Sequence, residues 1–318
     1  MDRDEGPKAT SPAGARRRRD CAVQELAIIE APSVLGLRPS GVEDLPAALL
    51  AAGLLDVPGA VRAGRVEPPP YDATRDPGTG VLNCTGIAQY SVRLADALGA
   101  VLDSGRFPVV LGGDCSILLG NLLALKRRGR HGLLFLDGHT DFYQPEAEPA
   151  GEAASMDLAL VTGRGPRLLT DIGGRGPLVR DGDVVVLGYR DAVESAEFGM
   201  QPLPPGLYAL DLDGVRAVGA GTAARRAVER LSGVPGGYWV HLDVDVLDDA
   251  VMPAVDYRQP GGLTWLELED VLSTALGDER AVGLDVTIFN PRLDPDGSIA
   301  ADLSECLRHG LTARARAG

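Results

Sequence analysis

The feature that most constrains this chain is a buried strand that runs out into acid. Tyr238-Trp239-Val240 leads directly into His241-Leu242-Asp243-Val244-Asp245. Side chains alternate across an extended chain, so His241, Asp243 and Asp245 share one face. Two carboxylates held that close repel each other unless a cation lies between them. A second segment repeats the arrangement: Leu133-Leu134-Phe135-Leu136 precedes Asp137-Gly138-His139-Thr140-Asp141, with Asp137, His139 and Asp141 on one side. A third, Pro108-Val109-Val110-Leu111-Gly112-Gly113-Asp114-Cys115-Ser116, reads as strand, glycine turn and helix start. Oxygen-rich donors with one or two imidazoles suit a hard or borderline divalent ion such as Mn²⁺. Two ions sharing bridging carboxylates can hold one hydroxide at neutral pH, which points to hydrolysis at an electrophilic carbon.

Around these segments strands alternate with helices. Strands are expected to begin at Leu26, Phe107, His131, Asp183, Leu207, Tyr238 and Ala281. Helices are expected over 42–55, 83–102, 116–128, 155–161, 214–231, 265–276 and 299–313. The Pro- and Gly-rich stretch 58–80 reads as an irregular surface excursion. Such alternation predicts one α/β fold with a parallel sheet covered on both faces. Ligands of such sheets sit at the carboxyl ends of the strands, where all three acidic segments fall. Residues 1–22 are polar and carry the basic run Arg16–Arg19, and read as a disordered, solvated tail. That leaves 23–318 as a single domain.

Bulk properties narrow the function. With 318 residues the chain can bury a large core. No apolar run approaches the roughly 20 residues of a membrane span. A net charge of −14 argues against nucleic acid or an anionic membrane as partner. Cys21, Cys84, Cys115 and Cys306 lack pair spacing and follow no signal peptide, so they read as reduced thiols of a cytoplasmic protein.

The three segments, together with Met252-Pro253, Gly41-Val42-Glu43 and Asn290-Pro291, resemble the arginase/ureohydrolase family over roughly residues 23–312. The resemblance implies a three-layer αβα sandwich of the arginase/deacetylase type. It also implies a binuclear manganese centre that hydrolyses guanidino groups to urea, and a homo-oligomer, trimeric or hexameric. By position, Asp137 and Asp243 would bridge two Mn²⁺ ions. His139 and Asp245 would complete one site, and Cys115 and Asp141 the other. Asp141 would also hold the hydroxide and pass its proton on as general acid/base.

Three positions depart from the family pattern. Cys115 stands where a ligand histidine is usual. A helix start lowers a thiol pKa, yet sulfur suits Mn²⁺ poorly, so this site is expected to be weak, empty or differently selective. The bland alternative is a thiol buried beside a single occupied site. Ala154 stands where a proton-shuttling histidine is usual, with Glu152 as candidate substitute. Ile288 stands where a guanidinium-binding glutamate is usual. A buried cation without a counter-ion is costly, so either Glu152 or Asp285 takes that role or the substrate is a less basic, modified guanidine. His241 is a candidate to hydrogen-bond a ligand carboxylate, the competing reading being a core histidine. Arg190-Asp191 ends a strand on the same rim and reads as a structural ion pair, the competing reading being substrate contact, and His131 and His309 read as residues outside the site. The resulting expectation is a metal-dependent hydrolase that cleaves a C–N bond of a small guanidino compound by metal-held hydroxide. The alternatives are an amide or formimino hydrolase on the same metals, or a catalytically silent metal-binding relative.

Overall fold

Strands buried on both faces read as unbroken apolar runs, and the central strands of this protein do so. The computed structural model describes residues 25–317. The tail 1–22, with Arg16–Arg19 and Cys21, lies outside the described residues. Eight strands form one sheet: β1 Leu26–Ala31, β2 Ala60–Arg65, β3 Phe107–Gly112, β4 Gly132–Leu136, β5 Val184–Leu187, β6 Tyr208–Leu210, β7 Tyr238–Asp243 and β8 Ala281–Thr287. The order is β2-β1-β3-β8-β7-β4-β5-β6, and every pairing is parallel.

Alternation along the strands sends side chains into two cores. Tyr238, Val240 and Leu242 of β7 and Leu134 and Leu136 of β4 pack on one face. Trp239 of β7 and Leu133 and Phe135 of β4 pack on the other. Helices Ala220–Leu231, Trp265–Gly277 and Ser298–Ala317 cover the first face. Helices Cys84–Asp103, Leu118–Lys126 and Asp157–Val161 cover the second. The result is the expected three-layer αβα sandwich.

Two expectations are corrected. Residues 60–65, read as irregular, form the edge strand β2. Five of its six residues are exposed, so it lacks the apolar alternation that marks a strand. Backbone pairing with β1 and the ion pairs of Arg62 and Arg65 with Glu30 hold it. The helix read over 214–231 is two helices, Leu212–Val218 and Ala220–Leu231, because Gly219 between them takes φ +83°.

Register sets what reaches the carboxyl edge. Phe135 of β4, His241 of β7 and Asp285 of β8 lie in one row across the three central strands, one row short of Leu136, Leu242 and Val286. β3 closes this group through Leu111 beside Val286. Gly113, just past β3, is wedged between strands. Its carbonyl accepts from the Ile288 N–H at 2.8 Å, and a Cβ there would fall 1.8 Å from the Ser33 carbonyl oxygen. Gly113→Ala is therefore expected to lower the free energy of unfolding by about 1–3 kcal/mol. Gly182→Ala, which meets nothing within 4 Å, should leave it nearly unchanged. Urea midpoints of the two variants check this.

Candidate metal centre

Asp137, Asp141 and Asp245 sit on turns beyond the strands, and Asp243 is the last residue of β7. β4 stops at Leu136 and β7 at Asp243, so strand alternation does not align Asp137, His139 and Asp141 as expected. Hydrogen bonds within and between the turns do. Asp137 Oδ1 accepts from the His139 N–H (2.6 Å) and Asp243 Oδ1 from the Asp245 N–H (2.8 Å). Asp245 Oδ1 accepts from the Gly138 N–H (3.0 Å), tying one turn to the other. Asp141 takes φ +43°, a conformation short polar side chains tolerate. At the end of β3, Asp114 accepts from the Ser116 N–H (2.8 Å) and the Ser33 hydroxyl (2.9 Å). That turn delivers Cys115, whose Sγ donates to Asp243 Oδ2 (2.9 Å) and lies 3.2 Å from Thr287 Oγ1.

Cys115, Asp137, His139, Asp141, Asp243 and Asp245 thus converge at one rim. Three donor sets, each with its ligating atoms within 4.8 Å of one another, emerge among the described residues: Asp137, His139 and Asp245; Cys115, Asp137 and His241; Cys115, Asp141 and Asp157. The first is a carboxylate–imidazole set suited to a borderline divalent ion. Asp157 went unnoticed in the sequence because an acid in the first turn of a helix is commonplace. Its one signal is its place in the apolar run Met156-Asp157-Leu158-Ala159-Leu160-Val161.

Burial and mutual repulsion dominate the electrostatics. Burial, then Asp245, raises Asp137 to about 6. Burial, then Asp137 and Asp157, pushes Asp141 well above the carboxylate range. Burial pushes Asp157 up, with His241 opposing, and burial together with Asp245 and Asp137 raises Asp243. Only Asp245 moves down: burial opposes its charge, but His139 and the Gly138 N–H outweigh it. His139 Nδ1 stands 2.8 Å from Asp245 Oδ2, and against the cost of burial the two acids raise its pKa well above the usual value. The Cys115 thiol is raised, by burial and then by the Asp243 charge, which reverses the lowering expected at a helix start. A cluster whose carboxyl pKa values mostly rise for want of positive charge, with Asp137 Oδ2 buried and unpartnered among the described residues, fits divalent cations.

Above the rim lies a cavity of about 230 Å³. Ala154 and Ile288 line it, so the positions of the missing imidazole and glutamate present apolar surface to it. Ile288 holds φ +72°, an outlier for a β-branched residue. Glu152 lines the wall and is buried. Its carboxylate accepts from the Tyr257 hydroxyl (2.6 Å) and the Arg38 N–H (3.2 Å), with the Arg38 guanidinium 3.8 Å away. Burial raises its pKa, with Tyr257 opposing. Glu148 braces it by accepting from the Glu152 N–H (2.6 Å). Neither Tyr257 nor Glu148 carried a signal in the sequence. Asp285 is not free to meet a substrate, being engaged by the Trp239 indole and by His241. His241 therefore bonds Asp285, not the ligand carboxylate Asp243. Arg190 and Asp191 are not an ion pair. Arg190 donates to the carbonyls of Asp245 (2.9 Å) and Gln259 (2.8 Å), while Asp191 accepts from the Thr140 N–H and hydroxyl. His131 and His309 lie away from this cluster.

The Arginase family model matches residues 25–309. The arginase of Staphylococcus aureus is 27% identical over 285 residues, covering 86% of this chain and 92% of that protein. The arginase of Bacillus caldovelox is 28% identical over 291 residues, covering 88% and 95%. The native structure of the latter superposes with a TM-score of 0.81 at 26% identity, over 91% of this chain and 98% of that one. Fold and donor set together define a metal-dependent hydrolase. The chain belongs to the arginase family.

The raised carboxylates make stability depend on pH. Asp137 binds a proton more tightly folded than unfolded, so its contribution favours folding at low pH and is lost as pH rises through about 6. Asp141, Asp157 and Asp243 act in the same direction and Asp245 in the opposite one. Chelator-treated protein should melt at a higher temperature near about pH 6 than near about pH 8, and added divalent ion should raise the melting temperature more at the higher pH. A flat melting profile without metal would contradict the electrostatics described.

Proposed function

We propose that this protein hydrolyses a C–N bond of a small guanidino compound, releasing urea and an amine. The observation that carries the reading is the convergence of Asp137, His139, Asp141, Asp243 and Asp245, from separate strand ends, beneath a cavity of small-molecule size. Asp137, Asp243, His139 and Asp245 would hold one cation, and Cys115 and Asp141, with Asp137 and Asp243, would hold a second. Mn²⁺ suits the first set. When bound, such ions supply Lewis acidity, which lowers the pKa of water.

The chain's own residues supply the rest. Asp141 lines the cavity, and burial with the neighbouring acids Asp137 and Asp157 raises its pKa, so its carboxyl can take a proton from water and hand it to the departing amine. Glu152, held by Tyr257 and the Arg38 N–H, offers a braced carboxylate on the wall for a cationic group, in place of the glutamate absent at 288. Glu194 and Glu148 add negative charge around the same space. Residues 23–318 act as one catalytic unit, supported by the family match over 25–309 and by a single sheet that spans it. Among the described residues no helix is long and apolar enough to cross a membrane. Free buried thiols at Cys84, Cys115 and Cys306 support a reducing cytoplasm, and kinship supports a homo-oligomer.

The apolar pair Ala154 and Ile288 favours one second reading, in which the substrate is an amide or formimino compound and no guanidinium is bound. A panel of arginine, agmatine and guanidinobutyrate, assayed for urea with Mn²⁺ and other divalent ions, separates them. Urea release is the expected result, with Asp141→Asn lowering kcat by about 10²–10⁴ and Glu152→Gln acting mainly on KM. Ammonia or amine without urea selects the second reading. No turnover on either substrate class with any ion leaves a silent metal-binding protein.

A further inference from the structure

Below the rim, on the same face of β7 as Asp243, lie two buried donors that the reaction outlined above does not use, His241 and Asp157, beside Cys115 and Asp137, which it does. His241 is fully buried, and its ring stacks on Phe135 with centroids 4.7 Å apart. Its Nδ1 stands 2.6 Å from Asp285 Oδ2, and Asp285 Oδ1 accepts the indole N–H of Trp239. With Nδ1 turned to Asp285, Nε2 is the ring atom left for a ligand; burial opposes the ring's charge but Asp285 and Asp157 raise its pKa to about 9, so Nε2 gives up its proton when a cation binds. Nε2 has no hydrogen-bond partner among the described residues, and neither has either carboxylate oxygen of Asp157, 4.0 Å away. Asp137 Oδ2 is likewise bare. Four unpartnered polar atoms buried side by side are rare in folded proteins, and all of them are metal-ligand atoms.

We propose that Cys115 Sγ, Asp137, His241 Nε2 and Asp157 hold one divalent ion in a site of mixed sulfur, nitrogen and oxygen donors, selective for Zn²⁺ over Mn²⁺. Cys115, Asp137 and His241 already place ligating atoms within 4.8 Å of one another, and Asp157 joins Cys115 in a second such set. Donors around a tetrahedral Zn²⁺, with bonds of about 2.0–2.3 Å, lie roughly 3.3–3.8 Å apart. Small side-chain rotations close that difference. The imidazole missing at position 115 is thus supplied from β7, one row deeper, and the thiol makes the site softer. Asp285 plays the orienting part that a carboxylate takes behind a ligand histidine. On binding, the Cys115 thiol loses its proton to solvent and the thiolate forms the bond. The proposal rests on reading this cluster as a metal centre, but its test does not depend on turnover.

Chelator-treated full-length protein titrated with Co²⁺ is the direct probe. A thiolate ligand gives a sulfur-to-cobalt charge-transfer band in the near ultraviolet, and a tetrahedral site gives intense visible bands. Both are expected, with Zn²⁺ abolishing them at stoichiometric addition and equal Mn²⁺ leaving them in place. Cys115→Ser should lose the charge-transfer band. His241→Gln should weaken Zn²⁺ binding at least tenfold, and Asp285→Asn by about 10–100-fold, with circular dichroism confirming that each variant is folded. A weak six-coordinate spectrum without the charge-transfer band in the unaltered protein would overturn the proposal, and that measurement needs no variant. So would a His241→Gln protein that binds Zn²⁺ as tightly as its parent. Cobalt bands without urea release would sink the guanidino reading alone, and urea release with a sulfur-free spectrum would sink this one alone.

Discussion

Like-charge repulsion among buried carboxylates is the constraint on which the functional end of this protein depends. Asp137, Asp141, Asp157, Asp243 and Asp245 are all buried within one cluster. Hydrogen bonds neutralise part of the strain, as at Asp245, where His139 and the Gly138 N–H keep the charge in place. Elsewhere burial wins and the carboxyl pKa values rise. Packing alone gives no reason to gather such groups, since apolar residues of similar size would stabilise a core better. The arrangement makes sense as a receptacle for positive charge, which is where the sheet delivers it.

The delivery is geometric. Four parallel strands, β3, β8, β7 and β4, lie side by side at the centre, and parallel alignment puts all their carboxyl ends on one edge. Two apolar cores grip the strands from above and below, so their ends cannot drift apart. The turns that follow are then locked by short contacts between them, such as Asp114 with Ser33 and Asp245 with Gly138. Rigid strands carrying short, cross-linked turns hold donors closer together than mobile loops would.

Much of this was legible in the sequence, for identifiable reasons. Central strands announce themselves by apolar runs, and the acids that follow β4 and β7 stand out against them. The edge strand β2 was illegible, since a strand exposed on nearly every side chain carries no period. The site was readable in its rim residues but not in its depth. Alternation correctly puts His241 on the same face as Asp243, yet nothing in the sequence reveals that Asp285 and Asp157 meet it from another strand and from a helix on the far side of the chain. Glu152 was visible as a nearby acid, whereas Tyr257, which orients it from about a hundred residues away, was not. Contacts at that separation are set by tertiary packing, which local patterning does not encode.

The left-handed backbone at Ile288 carries a separate implication. A β-branched side chain pays a conformational penalty there that glycine or asparagine would escape, and the fold bears it with the amide still anchored to the Gly113 carbonyl. The direction in which this side chain leaves the main chain is therefore dictated by the scaffold and owes nothing to what the side chain is. Chemistry at the cavity floor can be exchanged there, oily for ionic, without redrawing a loop, and relatives sharing this trace can diverge in what they accept through one codon.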